Sequence, residues 1–365
     1  MALGIGKEAM DKVSTISSLN GIRGFAVLLV LLSHASNRGL SINPELSFSG
    51  AGRYGVFLFF VLSAFLLTRQ FLESDHNNDE LPPFLKHYFL RRVLRIYPLF
   101  IASLAVYYFL NVIGHSVIKL NEVDLIKHIV LLDGKDIFWT IPVEFQYYFV
   151  LPIVALILDK AKRVIVTTVF IITFSVLWWS LFPPEYVANL VPFAPIFIMG
   201  SCAAFISHQL NNTQQILLQR WKYILNFGAM FFFASFFVYI PRFFNTLFSL
   251  SVGRTEFHEQ FFLFSMLSVG LILCVIHGDG AIKKLMESRL FVFWGKVSFS
   301  AYLGHMIILG NIYIFPFSST IKLVIFIVLT AFFSHLSFKY FETPLSKIHN
   351  INRFYSKIKS YYPNQ

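Results

Sequence analysis

Arg23 and His34 stand eleven residues apart in a stretch, Leu19 to Ala35, that is otherwise almost wholly apolar. At about 100° per residue, a helix turns about 20° past three full revolutions over that interval. Both side chains then share one face, roughly 16 Å apart along the axis. An ionisable group within a membrane-length apolar segment is costly and by default marks a functional site. An imidazole titrates in the range where it can take a proton from a hydroxyl, and a guanidinium holds anionic groups through a planar fork of donors. The alternative reading makes the two residues separate anchors, Arg23 snorkelling to one surface and His34 resting near the headgroups of the other. A shared face is not what independent anchors would show.

A second cluster is His87-Tyr88-Phe89-Leu90-Arg91-Arg92-Val93-Leu94-Arg95-Ile96-Tyr97-Pro98, which puts Arg92 and Arg95 at i,i+3 on a helix with Arg91 beside them. Such a group suits phosphate binding, and it equally suits a basic stop at the cytoplasmic end of a membrane span. In Trp139-Thr140-Ile141-Pro142-Val143-Glu144-Phe145-Gln146-Tyr147-Tyr148, Glu144 enters an apolar helix with Tyr148 one turn later. A carboxylate there requires polar neighbours or a wet cavity. Ser298 and His305, seven apart in the segment after Trp294, share a face; a single helix-interior histidine more often packs or hydrogen-bonds than catalyses. Glu342 precedes Thr343-Pro344, where the proline is expected to stop the last helix.

The elements that must position these groups are membrane helices. Of the 365 residues, 56% are hydrophobic and 13% charged, against about 25% charged in soluble domains. A soluble fold of this size cannot bury so much apolar surface. Windows of about 20 apolar residues fall at 19–36, 54–72, 96–113, 139–158, 164–182, 188–207, 222–240, 260–277, 297–315 and 321–340. The sequence therefore predicts an all-α, polytopic membrane protein of about ten transmembrane helices over 1–345, followed by a basic cytoplasmic tail at 346–365. The first window holds Arg23 and His34, so it is expected to be a retained helix rather than a discarded leader. With the amino terminus in the cytoplasm, 22 of the 30 Lys and Arg residues fall on the cytoplasmic side, and both termini are expected there.

The net charge of +11 does not point to nucleic acid, because the basic residues lie in short stretches between spans rather than on a polar face. Cys202 and Cys274 sit in different apolar windows and read as packing residues, and no Cys/His spacing fits a zinc site. No resident cofactor or metal is expected. Nothing in the sequence sets an oligomeric state.

Taken in order, these segments resemble the acyltransferase family 3 membrane proteins, whose members O-acylate cell-surface carbohydrates. The resemblance runs from Leu19 to Pro344 and is carried by six segments in register. They are Leu19-Asn20-Gly21-Ile22-Arg23-Gly24 with His34; Gly55-Val56-Phe57-Leu58-Phe59-Phe60-Val61-Leu62-Ser63-Ala64-Phe65-Leu66; Arg92 and Arg95 before Tyr97-Pro98; Trp139 to Tyr148; Ser298 to His305; and Glu342 with Pro344. The sequence departs from the family pattern at Phe57, where many relatives have an acid, at Ala64, where they have Gly, and at Phe145, where they have a second Glu.

The resemblance implies an acyl-CoA donor, most simply acetyl-CoA, on the cytoplasmic side. It also implies a glycan or lipid-linked glycan acceptor (lipopolysaccharide O-antigen, capsule or exopolysaccharide) outside a bacterial inner membrane, with bilayer lipid as the remaining partner. By that carry-over His34 is the catalytic histidine, Arg23 and Glu144 assist it, and Arg91, Arg92 and Arg95 hold the donor. Ser63 and Tyr148 are candidate donors to a developing oxyanion, and Ser298, His305 and Glu342 are further site candidates. Direct attack on the thioester and relay through an acyl-histidine both fit these residues. A transporter or flippase of a lipid-linked sugar is the alternative; no second half of the chain mirrors the first, as many such proteins require.

Overall fold

The computed structural model describes residues 17–43, 47–74, 81–115, 118–161, 163–182, 188–213, 220–253, 256–257 and 259–345. The basic tail expected at 346–365 lies outside them. All regular secondary structure among the described residues is helical. Helices α1 (Ser17–Asn37), α2 (Gly52–Leu72) and α3 (Leu81–Val112) are followed by a short α4 (Glu122–Ile129) and a 3-10 turn at Asp136–Trp139. Then come α5 (Thr140–Asp159), α6 (Val164–Leu181), α7 (Ala194–Thr213), α8 (Lys222–Val238), α9 (Pro241–Phe248) and α10 (Phe261–His277). The chain continues through α11 (Ala281–Met286), α12 (Arg289–Lys296), α13 (Ser298–Asn311) and α14 (Ser319–Ser337).

By length and hydropathy, seven helices among the described residues can cross a membrane, or up to nine if each of two bent pairs is one span. The bent pairs are α8 with α9, at 95°, and α12 with the α13 segment, at 79°. Each of the ten windows meets a helix, but ten spans are not reached by this measure, because α10 has 17 residues and the bent pairs divide their windows. The third helix also begins well before its apolar window, at Leu81, so the arginine cluster and the apolar span form one continuous rod. Pro82 and Pro83 do not prevent this, since a helix's first turn has no use for their missing N–H groups.

Pro344 does not end the last helix within the described residues: helical geometry runs to Leu345. Just before it the chain widens into a π-turn at Phe338–Glu342, where the Thr343 N–H reaches back to the Phe338 carbonyl. That register shift relieves the clash a proline makes with the carbonyl four residues earlier.

Lipid is as apolar as leucine, so helices here associate through close packing and buried hydrogen bonds. The α1–α12 seam uses the first device. A Cβ at Gly295 would fall 1.8 Å from the Asn20 carbonyl oxygen, and one at Gly21 would fall 1.7 Å from that of Met286. Only glycine permits this approach, and it clamps the part of α1 that carries Arg23. The joint of α2, α5 and α7 uses the second device. Ser201 Oγ lies 2.7 Å from Thr68 Oγ1 and 2.6 Å from the Tyr147 hydroxyl, with all three residues buried.

Candidate active site

Five helices, α1, α2, α3, α5 and α13, line one cavity that is open along part of its wall. Arg23 enters it from α1, and Arg91, Arg92 and Arg95 enter from one side of α3. Glu144 is the single carboxylate in the lining. The Ser63 hydroxyl of α2 and the Tyr148 hydroxyl, one turn along α5, both donate to its Oε1 at 2.6 Å. Arg95, Glu144 and Arg92 are the charges that act most on Arg23. Among the described residues the Nε–H of Arg92 is buried with no hydrogen-bond partner. Four guanidinium groups against one carboxylate leave a cavity strongly biased toward anions, and guanidinium forks match phosphate geometry.

Ser298 lies in the same lining, on the first turn of α13. Glu342 does not line the cavity. Its carboxylate accepts from the Ser300 hydroxyl, which also reaches Ser337 Oγ at 2.9 Å, and the charges of Arg95 and Arg23 act on it. The π-turn at the end of α14 aims Glu342 in this direction.

The two histidines stand apart from this group. His34 and His305 are absent from the cavity lining, and their rings face each other with centroids 5.1 Å apart and planes tilted 54°. Helices α1 and α13 therefore run in the same direction. Each presents a polar group at cavity level, Arg23 or Ser298, and an imidazole farther along. The shared face of Arg23 and His34 is thus present, but their axial separation puts them at two different depths.

Between the depths stands Tyr302. Its ring borders the cavity on one side and lies 6.0 Å from the His305 ring on the other. Its hydroxyl donates to the Ile137 carbonyl at 2.7 Å and accepts from Thr140 Oγ1 at 3.2 Å. Asp136, the next residue back, takes the left-handed conformation at φ 54, which aspartate tolerates better than most residues. Asp136 and Arg38 are the charges that act on the His34 ring.

Sequence reasoning missed Tyr302, Thr140, Ser300 and Asp136. Tyr302 was within reach of it, because it sits four residues after Ser298 and three before His305 on the face already singled out. Asp136 carried no comparable signal: its position depends on how the chain between α3 and α5 folds back. Among the described residues, no three His, Cys, Asp or Glu side chains gather as metal ligands would.

The chain matches the family model described as an acyltransferase domain over residues 16–341. It is 25% identical to a provisionally named O-acetyltransferase of Staphylococcus aureus (strain COL), an alignment covering 92% of this chain and 58% of that protein. It is 21% identical to the peptidoglycan O-acetyltransferase OatA of Listeria monocytogenes, over 95% of this chain and 58% of that one. A provisionally named acetyltransferase of the Acidianus two-tailed virus is 25% identical, over 78% of this chain and 81% of its own length. The chain thus spans a little over half the length of the bacterial relatives. No solved structure matches it.

Proposed function

The chain belongs to the acyltransferase domain family, and from that premise we propose that it is a membrane O-acetyltransferase. In this reading it takes acetyl from cytoplasmic acetyl-CoA and passes it to a hydroxyl of a cell-surface glycan. The observation that carries the proposal is the convergence of Arg23, Arg91, Arg92 and Arg95 on one cavity between the helices. A polyanionic donor such as coenzyme A finds there the positive charge that its phosphates need. The lysine and arginine distribution supports assigning the cavity mouth to the cytoplasmic face of a bacterial plasma membrane, with both termini on that side.

His34 is the proposed base. The acceptor hydroxyl gives its proton to a bare His34 nitrogen while its oxygen bonds to the thioester carbonyl carbon. The C–S bond then breaks, and the proton ends on the departing coenzyme A sulfur. The Ser63 and Tyr148 hydroxyls donate to Glu144 at the arginine level, and they could serve the oxyanion only if the thioester carbonyl reaches from that level to His34. The acceptor class is a surface carbohydrate, whether lipopolysaccharide O-antigen, capsule, exopolysaccharide or peptidoglycan, the polymer in the name of the Listeria relative.

The test is radiolabelled acetyl-CoA supplied to inverted membrane vesicles, with His34→Ala at matched protein level. Label should enter glycan with the wild-type protein and not with the variant. Full labelling by His34→Ala refutes the assignment of the base. Movement of a lipid-linked sugar without label incorporation refutes acyl transfer.

A further inference from the structure

Resting on the acyl-transfer reading above, we propose that His305 is a positioning residue that selects which nitrogen of His34 is left bare to act as base. His305 is fully buried on α13. Its Nδ1 lies 2.6 Å from the Tyr302 carbonyl oxygen and 3.2 Å from that of Ala301. A carbonyl oxygen only accepts, so Nδ1 carries the ring proton and Nε2 is a bare acceptor. Among the described residues that Nε2 is buried with no hydrogen-bond partner. A buried acceptor left unsatisfied is costly, and in a native fold it calls for an explanation.

The ring that His305 faces is His34, at 5.1 Å between centroids. Two imidazoles at this spacing need only a small reorientation to share an N–H···N hydrogen bond. Formation of that bond commits one nitrogen of His34 as donor to His305 Nε2. The other nitrogen then keeps its lone pair for the acceptor hydroxyl. Without it, the His34 ring is free to take either tautomer, and only one of them places a lone pair toward substrate. Backbone carbonyls thus fix the tautomer of His305, and His305 fixes that of His34. The remaining charges acting on His34, Asp136 and Arg38, set the field around the pair.

Two substitutions divide the functions of His305. His305→Gln places a carbonyl oxygen where Nε2 stands and gives up the Nδ1–H tether. His305→Asn keeps a donor for the Tyr302 carbonyl and gives up the acceptor facing His34. Acetyl transfer is assayed in vesicles with labelled acetyl-CoA at matched protein level. His305→Gln should keep the wild-type kcat within about threefold, and His305→Asn should lose about tenfold or more, a share of what a positioned base contributes. The KM for acetyl-CoA should stay unchanged in both, since the arginine cavity does not include this residue. A purely structural histidine predicts the reverse order, because asparagine preserves the backbone hydrogen bond. Asparagine equal to or better than glutamine overturns the proposal.

A second readout needs no variant to fold. Wild-type protein carrying ¹⁵N-histidine in nanodiscs should show a nitrogen–nitrogen coupling across an N–H···N bond between two imidazoles, and its absence overturns the proposal. His34→Ala, assayed in parallel, separates the two levels of failure. An active His34→Ala defeats the acyl-transfer base, whereas an inactive His34→Ala beside an active His305→Asn defeats only the positioning role.

Discussion

Gly21→Ala adds a single methyl group, and the close approach of α1 to the end of α11 fixes its effect. The new Cβ would lie 1.7 Å from the Met286 carbonyl oxygen, 2.4 Å from its carbonyl carbon and 2.8 Å from its Cα. All three are backbone atoms, so no side chain can swing aside, and α1 must move off α11 and α12 by more than about 1 Å to restore contact distance. Overpacking of this kind costs about 1–3 kcal/mol. The intrinsic preference of helices for alanine over glycine, up to about 1 kcal/mol, offsets only part of it. Gly304→Ala is the matched control. Gly304 sits in α13 with nothing within 4 Å of its would-be Cβ, so only the propensity gain applies and stability should rise. Thermal unfolding in detergent, followed by a thiol dye reacting with Cys202 and Cys274 as they become exposed, should place Gly21→Ala below wild type and Gly304→Ala at or above it. Acetyl transfer by Gly21→Ala should also fall, by as much as about a hundredfold, because a shift near 1 Å in α1 misplaces Arg23 and His34. Stability of Gly21→Ala equal to or above wild type would refute the packing argument.

Arg92→Ala should raise the KM for acetyl-CoA about tenfold or more while changing kcat much less, as expected for loss of a charge-assisted phosphate contact of about 1.5–3 kcal/mol; steady-state kinetics in vesicles check this. Ser63→Ala and Tyr148→Phe each remove one of the two hydroxyls that hold Glu144 and should each destabilise by about 1–3 kcal/mol. The double variant should cost more than their sum, since it leaves the carboxylate without either donor, and a double-mutant cycle on melting temperature reads this directly. Ser201→Ala should cost about 1 kcal/mol by removing the shared partner of Thr68 and Tyr147, with acetyl transfer nearly unchanged at permissive temperature.

Much of the site was legible because its members are expensive where they lie. Arg23, Arg92, Arg95 and Glu144 interrupt apolar sequence, and the cost of placing charge in lipid is enough to mark them as candidates, though not to say that they meet. Helical periodicity correctly gave Arg23 with His34, and Ser298 with His305, as pairs sharing a face. It could not reveal that α1 and α13 lie side by side and run the same way, which turns two separate pairs into an arginine level and a histidine level. Ser63 meets Glu144 across 81 positions of sequence, and Ser300 meets Glu342 across 42. Such pairings depend on tertiary packing and leave no local trace. Helical geometry reaches Leu345, the last residue described there, and the π-turn at Phe338–Glu342 just before Pro344 left no sign in the sequence pattern. The span count diverged where helices bend, a feature that hydropathy windows average away.

Tyr302 has a bearing on the membrane as well as on the reaction. An enzyme that meets one substrate on each side of a bilayer runs the hazard of becoming a pore, through which protons and ions would discharge the cell's electrochemical gradient. With its hydroxyl tied to Ile137 and Thr140, the Tyr302 ring stands between the arginine chamber and the paired imidazoles. For the transfer proposed above, that placement would keep the bilayer electrically insulated between turnovers.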